Sequence, residues 1–249
     1  MDFNKVMRIA VILIGVVLVI IILVFLFGGS RGELSKSVFA EDIVTINVST
    51  DIGDIQIASY DGDEIRVQLQ GKSEKNPSKN FKLTMKEKNT ELTIKAKKKS
   101  KFFSFGKLST GYTILVELPS KQYERLQVHA DVANIHVDSI QANESRVTAN
   151  VGNVTLKGVN GEINAGTKVG DIEIHLQSIA NNILAEAQVG NIVVETKEGP
   201  LALQTELTSS IGNSIINLPN EVDGSIGIGG PVVNLAVEVG NVSLLLSGE

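Results

Sequence analysis

The sequence predicts an all-β chain: a β-solenoid of about 20-residue repeats behind a single N-terminal transmembrane helix. Three observations carry this. From Ile43 onward almost every segment alternates apolar and polar residues, the period of a strand, and no amphipathic helix interrupts it. A short motif, an aliphatic residue, then Gly, then Asn or Asp, returns again and again. Ahead of both, Ile9 to Phe27 is a run of nineteen uncharged residues.

Residues 1–8 form a short tail, and residues 9–27 the expected anchor. As a helix the anchor measures roughly 28 Å at 1.5 Å per residue, close to the ~30 Å hydrocarbon core. Its Ile and Val content is no obstacle, because in lipid every backbone group must bond internally. A cleaved signal peptide is the competing reading. "VFA", Val38 to Ala40, has a small-residue look, but it lies thirteen residues past the apolar run. The run also exceeds the ~7–15 residues of a signal core. Lys5 and Arg8 precede the span, and Arg31 and Lys36 follow it. The free amine and the abutting Arg8 tip the N-terminus toward the cytoplasm, leaving the bulk of the chain outside. Residues 28–40 are rich in Gly and Ser and read as a flexible linker with a reach of roughly 20 Å.

Residues 41–120 read as less regular strands and hairpins, among them "DIVTINVS", "DEIRVQLQ", "FKLTMKEK", "ELTIKAK" and "YTILVELP". They are expected to begin the same sheet. Residues 121–249 carry the repeats proper. Aligned on its small residue, the motif falls at Gly53-Asp54, Ala133-Asn134, Gly152-Asn153, Gly170-Asp171, Gly190-Asn191, Gly212-Asn213 and Gly240-Asn241. From Ala133 the intervals are 19, 18, 20, 22 and 28 residues, after a gap of 80 from Gly53. A small residue followed by Asn or Asp suits backbone turning to positive φ. The flanking aliphatics, Val151 and Val154 for instance, are expected to point inward. Such a pair can also close a two-residue hairpin, which would give an antiparallel sandwich or meander. Midway punctuation ("KGVNGE", "QSIANN", "KEGP", "EVDG") varies in spelling while Gly-Asn persists. That asymmetry points to stacked corners, with the Asn and Asp side chains forming a ladder.

The tandem "VGNVTL", "VGDIEI" and "VGNIVV", preceded by "ILVELPSKQYERLQVHADVANIHV", resembles the bacterial candidate-adhesin family of β-strand-repeat envelope proteins. The resemblance spans roughly Ile43 to Leu246. With one anchor and this domain size, the chain looks most like the membrane-anchored members that accompany a Gram-positive cell-envelope-stress operon. It implies an envelope location and a link to stress response, and it supplies no catalytic residues.

Composition excludes several classes of chemistry. No cysteine means no disulfide framework and no thiolate metal site. A net charge of -5 speaks against nucleic acid as a partner. His136 and His175 read as one exposed slot after the corner, and His129 as another solvent-facing position, so no metal site is expected. "DGSIG", Asp223 to Gly227, lacks the leading glycine of a nucleophile elbow, and Pro231 after "GIGG" stops any phosphate-cradling helix. No cofactor site is read. Asp171 and Glu173, two apart on one strand, lie roughly 6.5–7 Å from each other, within the range of a glycosidase acid pair. Glu173 nevertheless fills a position that Gln56, His136, Thr155 and Val193 fill in other copies. The bland reading is a solvated face; the alternative is a carbohydrate-active β-solenoid enzyme.

One segment departs from the acidic balance: "KAKKKSKFFSFGK", with Lys95, Lys97, Lys98, Lys99, Lys101 and Lys107 around Phe102, Phe103 and Phe105. Lysine attracted to anionic surface beside phenylalanine that inserts is a membrane-interface or anionic-polymer arrangement. The plainer reading is the tip of a hairpin joining "ELTIKAK" to "GYTILVELP". The expectation is a non-enzymatic, anchored, extracytoplasmic binding or scaffolding protein. Its expected partners are the bilayer, envelope proteins or anionic envelope polymers.

Overall fold

Among the described residues, period-two alternation becomes twenty strands in two sheets. The computed structural model describes residues 34–71, 81–99 and 112–247. The expected anchor lies outside these residues, and among the described residues no helix is long and apolar enough to cross a membrane. Residues from Glu33 onward form one compact unit.

The strands are β1 (Leu34–Phe39), β2 (Thr45–Ile52), β3 (Asp54–Tyr60), β4 (Glu64–Gly71), β5 (Phe81–Lys88), β6 (Glu91–Lys98) and β7 (Tyr112–Pro119). Then come β8 (Gln122–Val132), β9 (Ile135–Asp138), β10 (Gln141–Val151), β11 (Val154–Lys157), β12 (Asn160–Val169) and β13 (Ile172–Leu176). The last are β14 (Ile183–Val189), β15 (Ile192–Thr196), β16 (Leu203–Ile211), β17 (Ser214–Asn217), β18 (Ser225–Ile226), β19 (Val232–Val239) and β20 (Val242–Leu246). One sheet runs β1-β4-β7-β3-β9-β11-β13-β15-β20-β17, and the other β18-β16-β19-β14-β12-β10-β8-β2-β6-β5. We call them sheets A and B.

Each coil is one strand of sheet B, a corner, and one strand of sheet A. Read along the stack, the coils are β6/β7, β2/β3, β8/β9, β10/β11, β12/β13, β14/β15, β19/β20 and β16/β17. Every pairing between neighbouring coils is parallel. Among the described strands, antiparallel pairing joins β1 with β4, β4 with β7, β5 with β6, and β16 with β18. The sandwich alternative is thereby excluded, because it requires antiparallel neighbours throughout.

Several sequence expectations are corrected. β2/β3 sits inside the stack against β8/β9, so coils already form ahead of residue 121. β6 and β7 lie in different sheets and do not pair as the two arms of a hairpin; residues 100–111 between them lie outside the described residues. The linker expected across 28–40 ends by Leu34, where β1 begins. Ala40 is buried, and its N–H donates to Asp63 O at 2.9 Å. Lys121 Nζ donates to the carbonyls of Ala40 and Glu41, fixing this entry segment to the start of β8.

The interior is filled by rows of like residues, one per coil. Sheet A contributes Ile55, Ile135, Val154, Ile172, Ile192 and Val242, all at most 1% exposed. Near the corners, sheet B turns small, with Ala130, Ala149 and Ala187. Hydroxyls there satisfy corner carbonyls: Thr167 Oγ1 donates to Gly152 O at 3.0 Å, and Ser209 Oγ to Gly240 O at 2.7 Å.

Candidate functional site

The repeated motif builds the corners. Gly152, Gly170, Gly190, Gly212 and Gly240 take φ between 135° and 149°, and Gly53 takes 107°. A side chain at Gly190 would place its Cβ 1.8 Å from Gly170 O in the coil below. Ala133 has no positive φ, so its methyl group turns inward and is buried. The expected ladder is present. The backbone N–H of Asn134 donates to Asp54 Oδ1 (3.1 Å), that of Asn153 to Asn134 (3.0 Å), and that of Asp171 to Asn153 (2.9 Å). It continues through Asn191 to Asp171 (2.7 Å), Asn241 to Asn191 (3.0 Å) and Asn213 to Asn241 (3.0 Å). Asn241 therefore precedes Asn213 in space, opposite to their order in sequence. The aliphatics before the glycines do not point inward as expected. Val132, Val151, Val169, Val189 and Val239 are 41–49% exposed, whereas Val154 is buried. Val151 keeps the parity of buried Val147 and Ala149, but at the last residue of its strand it stands past the edge of the core.

The chemically distinctive face lies on β5 and β6, where a tight turn, with Asn89 at φ 55°, joins an antiparallel pair. Alternation buries Phe81, Leu83, Leu92, Ile94 and Ala96 and turns the intervening residues outward. The register sets Lys82 opposite Lys97, Thr84 opposite Lys95, and Lys86 opposite Thr93. These six side chains line a concavity of about 380 Å³. Like charges directly opposite one another destabilise a sheet, and among the described residues no carboxylate pairs with any of the four lysines. The acid beside them, Glu91, accepts from Asn47 Nδ2 at 2.8 Å and Thr93 Oγ1 at 3.2 Å. A bound anion would turn that local repulsion into attraction.

Of the expected contact residues, Lys95 and Lys97 therefore belong to this face. Lys98 falls on the opposite parity and is half-buried, and Lys99 follows β6. Lys101, Phe102, Phe103, Phe105 and Lys107 lie outside the described residues. Sequence reading missed Lys82 and Lys86. Their signal was the mirrored "KLTMK" and "TIKAK" around Asn89-Thr90, which folds like residues onto one face.

The remaining candidates are dispersed. His136 and His175 are not in one slot: His136 shares a row with Glu173, and His175 shares the next row with Asp138, Lys157 and Glu195. Glu173 lies 3.7 Å from His175 Nε2 and Glu195 3.0 Å from Nδ1. The carboxylates grip opposite edges of one ring instead of converging on a point. His129 Nδ1 is 3.0 Å from Thr148 Oγ1 on sheet B. Among the described residues no three His, Asp or Glu side chains are grouped to hold a metal ion. Asp171, the acid expected to pair with Glu173, accepts from the Asn191 N–H as part of the ladder. Asp223 and Gly224 form a positive-φ turn ahead of β18.

The Toastrack DUF4097 family matches residues 43–162 and again 122–244, the two overlapping stretches expected of a stack of near-equivalent coils. Among solved structures, a candidate cell adhesion protein from Clostridium sporogenes aligns over 86% of this chain and 99% of its own, with 14% identity and a TM-score of 0.54. A candidate adhesin from Bacteroides fragilis aligns over 87% of this chain and 98% of its own, at 13% identity and a TM-score of 0.36. At such identities the first likeness speaks for the fold alone. No curated protein matches the chain by sequence.

Proposed function

The chain belongs to the Toastrack DUF4097 family, and on that premise we propose that it is a membrane-anchored, extracytoplasmic binding or scaffolding protein of the bacterial cell envelope. The single observation that carries the reading is the lysine face of Lys82, Lys86, Lys95 and Lys97, presented without carboxylate partners among the described residues by an otherwise acidic chain. Its target is an anionic component of the envelope, lipid headgroup or polymer. The chain enters the described domain through β1, at the same end of the stack as β5 and β6. Cleavage after Ala40 would strip β1 from β4, which supports an uncleaved anchor at Ile9 to Phe27. The finer assignment, to LiaG-type members serving envelope stress, rests on the single-anchor, one-domain layout and is part of this proposal.

Each lysine near an anionic surface contributes about 1 kcal/mol, so four supply roughly 4 kcal/mol at low salt. Screening acts over a Debye length of ~10 Å at 0.1 M salt. The unit Glu33–Glu249 should bind vesicles containing phosphatidylglycerol and release them as salt rises. Changing Lys82, Lys86, Lys95 and Lys97 together to Gln should abolish binding while leaving the melting temperature within a few degrees. Replacing Phe102, Phe103 and Phe105 with Ser separates the targets: weaker vesicle binding at low salt marks lipid insertion, and an unchanged value marks headgroup or polymer recognition. Full vesicle affinity in the lysine variant would refute the reading. Protease added to wall-stripped cells tests the topology, since a domain protected from digestion would contradict an outside location.

A further inference from the structure

We infer that the far end of the solenoid, the coil β16/β17, is a docking surface for a second copy of the same end, joining two protomers across a twofold axis.

The two ends of the stack are built differently. At the β1/β5 end, both sheets finish on antiparallel strands, and β5 carries Lys82, Lys86 and Lys88. Lysine-bearing edge strands are the usual protection against unwanted strand pairing. At the other end, sheet A stops at β17, which pairs only with β20. Sheet B is covered where β18 pairs with Leu203 and Gln204 and where the Thr205 N–H donates to Gly224 O, and among the described residues the edge of β16 is unpaired from Glu206 onward. Between Glu206 and Asn217 the one charged residue is Glu206. Two such edges brought together would not repel.

Apolar exposure is concentrated here as well. Among the described residues, six large apolar side chains are more than half exposed. Leu201 (95%), Ile211 (68%), Ile215 (51%), Val222 (68%) and Ile228 (99%) lie in or beside this coil, and the sixth is Phe39. The inward-facing Leu207 and Ile216 are only partly covered. The asparagine ladder ends here too: the N–H of Asn213 donates to Asn241 Oδ1, but no N–H among the described residues reaches the carbonyl oxygen of the Asn213 side chain.

The geometry selects the occupant. The open end offers two parallel edges, one per sheet, about 10 Å apart as packed sheets are. A single extended peptide can satisfy only one of them. A partner must present two edges at the same spacing, without lysines, and the β16/β17 end of another copy does so. A twofold axis perpendicular to the sheets would pair β17 with β17 and β16 with β16, both antiparallel, and closes after two copies. Stacking β16/β17 against the β1/β5 end would instead set an uncharged edge on the lysine-bearing strand and propagate as a filament.

The chain has no cysteine, so single cysteines can be placed cleanly in the full-length protein in isolated membranes. Ser214, Ile215, Ile216 and Asn217 are each changed to Cys, one per variant, and exposed to an oxidant, with Thr155→Cys in the middle of sheet A as control. One position, or two adjacent ones, should give a disulfide-linked species of twice the chain mass, and the control none. In the cysteine-free chain, Ile211→Lys with Ile215→Lys should weaken self-association roughly tenfold, through like charges set opposite one another, while the circular dichroism spectrum is retained. The proposal falls if no β17 position cross-links. It falls equally if Ser214→Cys links only to a Lys36→Cys copy, the head-to-tail result, or only to a protein of another mass. Association unchanged by the paired lysines would also overturn it. None of these outcomes depends on the anion-binding role of the opposite end.

Discussion

Replacing Gly190 with Ala isolates what the corners contribute. Gly190 sits at φ 144°, and an added Cβ would lie 1.8 Å from Gly170 O and 2.6 Å from Gly170 C. Ordinary contact begins at 3.4 Å, so the corners of two adjacent coils must separate by about 1.6 Å or the backbone must rotate away. Both neighbours are backbone atoms within a sheet and cannot swing aside. Separation breaks the bonds that tie these coils at the corner: Gly170 N–H to Val189 O (2.9 Å), Asn191 N–H to Asp171 Oδ1 (2.7 Å) and Ile172 N–H to Asn191 O (2.8 Å). At about 1 kcal/mol each, with about 1–3 kcal/mol for a strained dihedral, the cost is about 4–6 kcal/mol. Urea unfolding of the unit Glu33–Glu249 measures it. Two controls separate the contributions. Gly229 has φ 70° and nothing within 4 Å of an added Cβ, so Gly229→Ala should cost only the dihedral strain, about 1 kcal/mol. Gly166 lacks a positive φ and would make ordinary contacts at 3.5 Å. Gly166→Ala should therefore be neutral, or stabilising by about 0.4–1 kcal/mol through the unfolded chain. If Gly190→Ala and Gly229→Ala fall within 1 kcal/mol of each other, close packing of the corners is not what requires glycine.

The ladder makes a directional prediction. Asn153→Ala deprives the Asp171 N–H of its acceptor and should cost about 1 kcal/mol, whereas Asn213→Ala, at the open end, should stay within about 0.5 kcal/mol; equal losses would mean that the ladder carries no stability. Tyr123 supplies a pH dependence. Its hydroxyl donates to Pro119 O at 3.0 Å, and burial, with Tyr60 nearby, pushes its pKa well above the ordinary value. Unfolded tyrosine ionises near pH ~10 while the native hydroxyl keeps its proton, so the unfolded state binds fewer protons there and stability falls as pH rises further. Tyr123→Phe should flatten that alkaline decline in unfolding curves taken at successive pH values, and a slope identical to the parent's would contradict the assignment.

Much of the architecture was legible because it is written locally. Alternation marks strands wherever one face is buried, and Gly with Asn marks a corner because few other residues tolerate that backbone beside another coil. The ladder followed from the corners being stacked. What could not be read was the order in which coils stack. The interval of 28 residues between Gly212 and Gly240 shows extra chain, but nothing in its spelling says that the last coil slips beneath the one before it. The gap of 80 residues after Gly53 was equally silent, because the contact of Asp54 with Asn134 is set by sheet pairing far along the chain. The outward turn of Val151 escaped for a different reason: parity describes the middle of a strand, and this residue ends one. At the candidate site, Lys95 and Lys97 were visible as a charge run. Lys82 and Lys86 became part of the same face only once β5 and β6 were folded together in register.

That exchange of the last two coils bears on how the domain is made. A solenoid with coils in chain order can add each layer as it leaves the ribosome, every newcomer docking on a finished edge. Here the segment from Val232 onward fills the seventh layer of eight, between β14/β15 and β16/β17. The coil β16/β17 emerges earlier and has no permanent seat until β19 and β20 arrive to carry it. A nascent chain stopped between β17 and β19 therefore lacks an interior layer rather than an outer one. Closure of the stack waits on β19/β20, and a product released before them would be left with β16/β17 unsupported and its apolar side chains open to proteases.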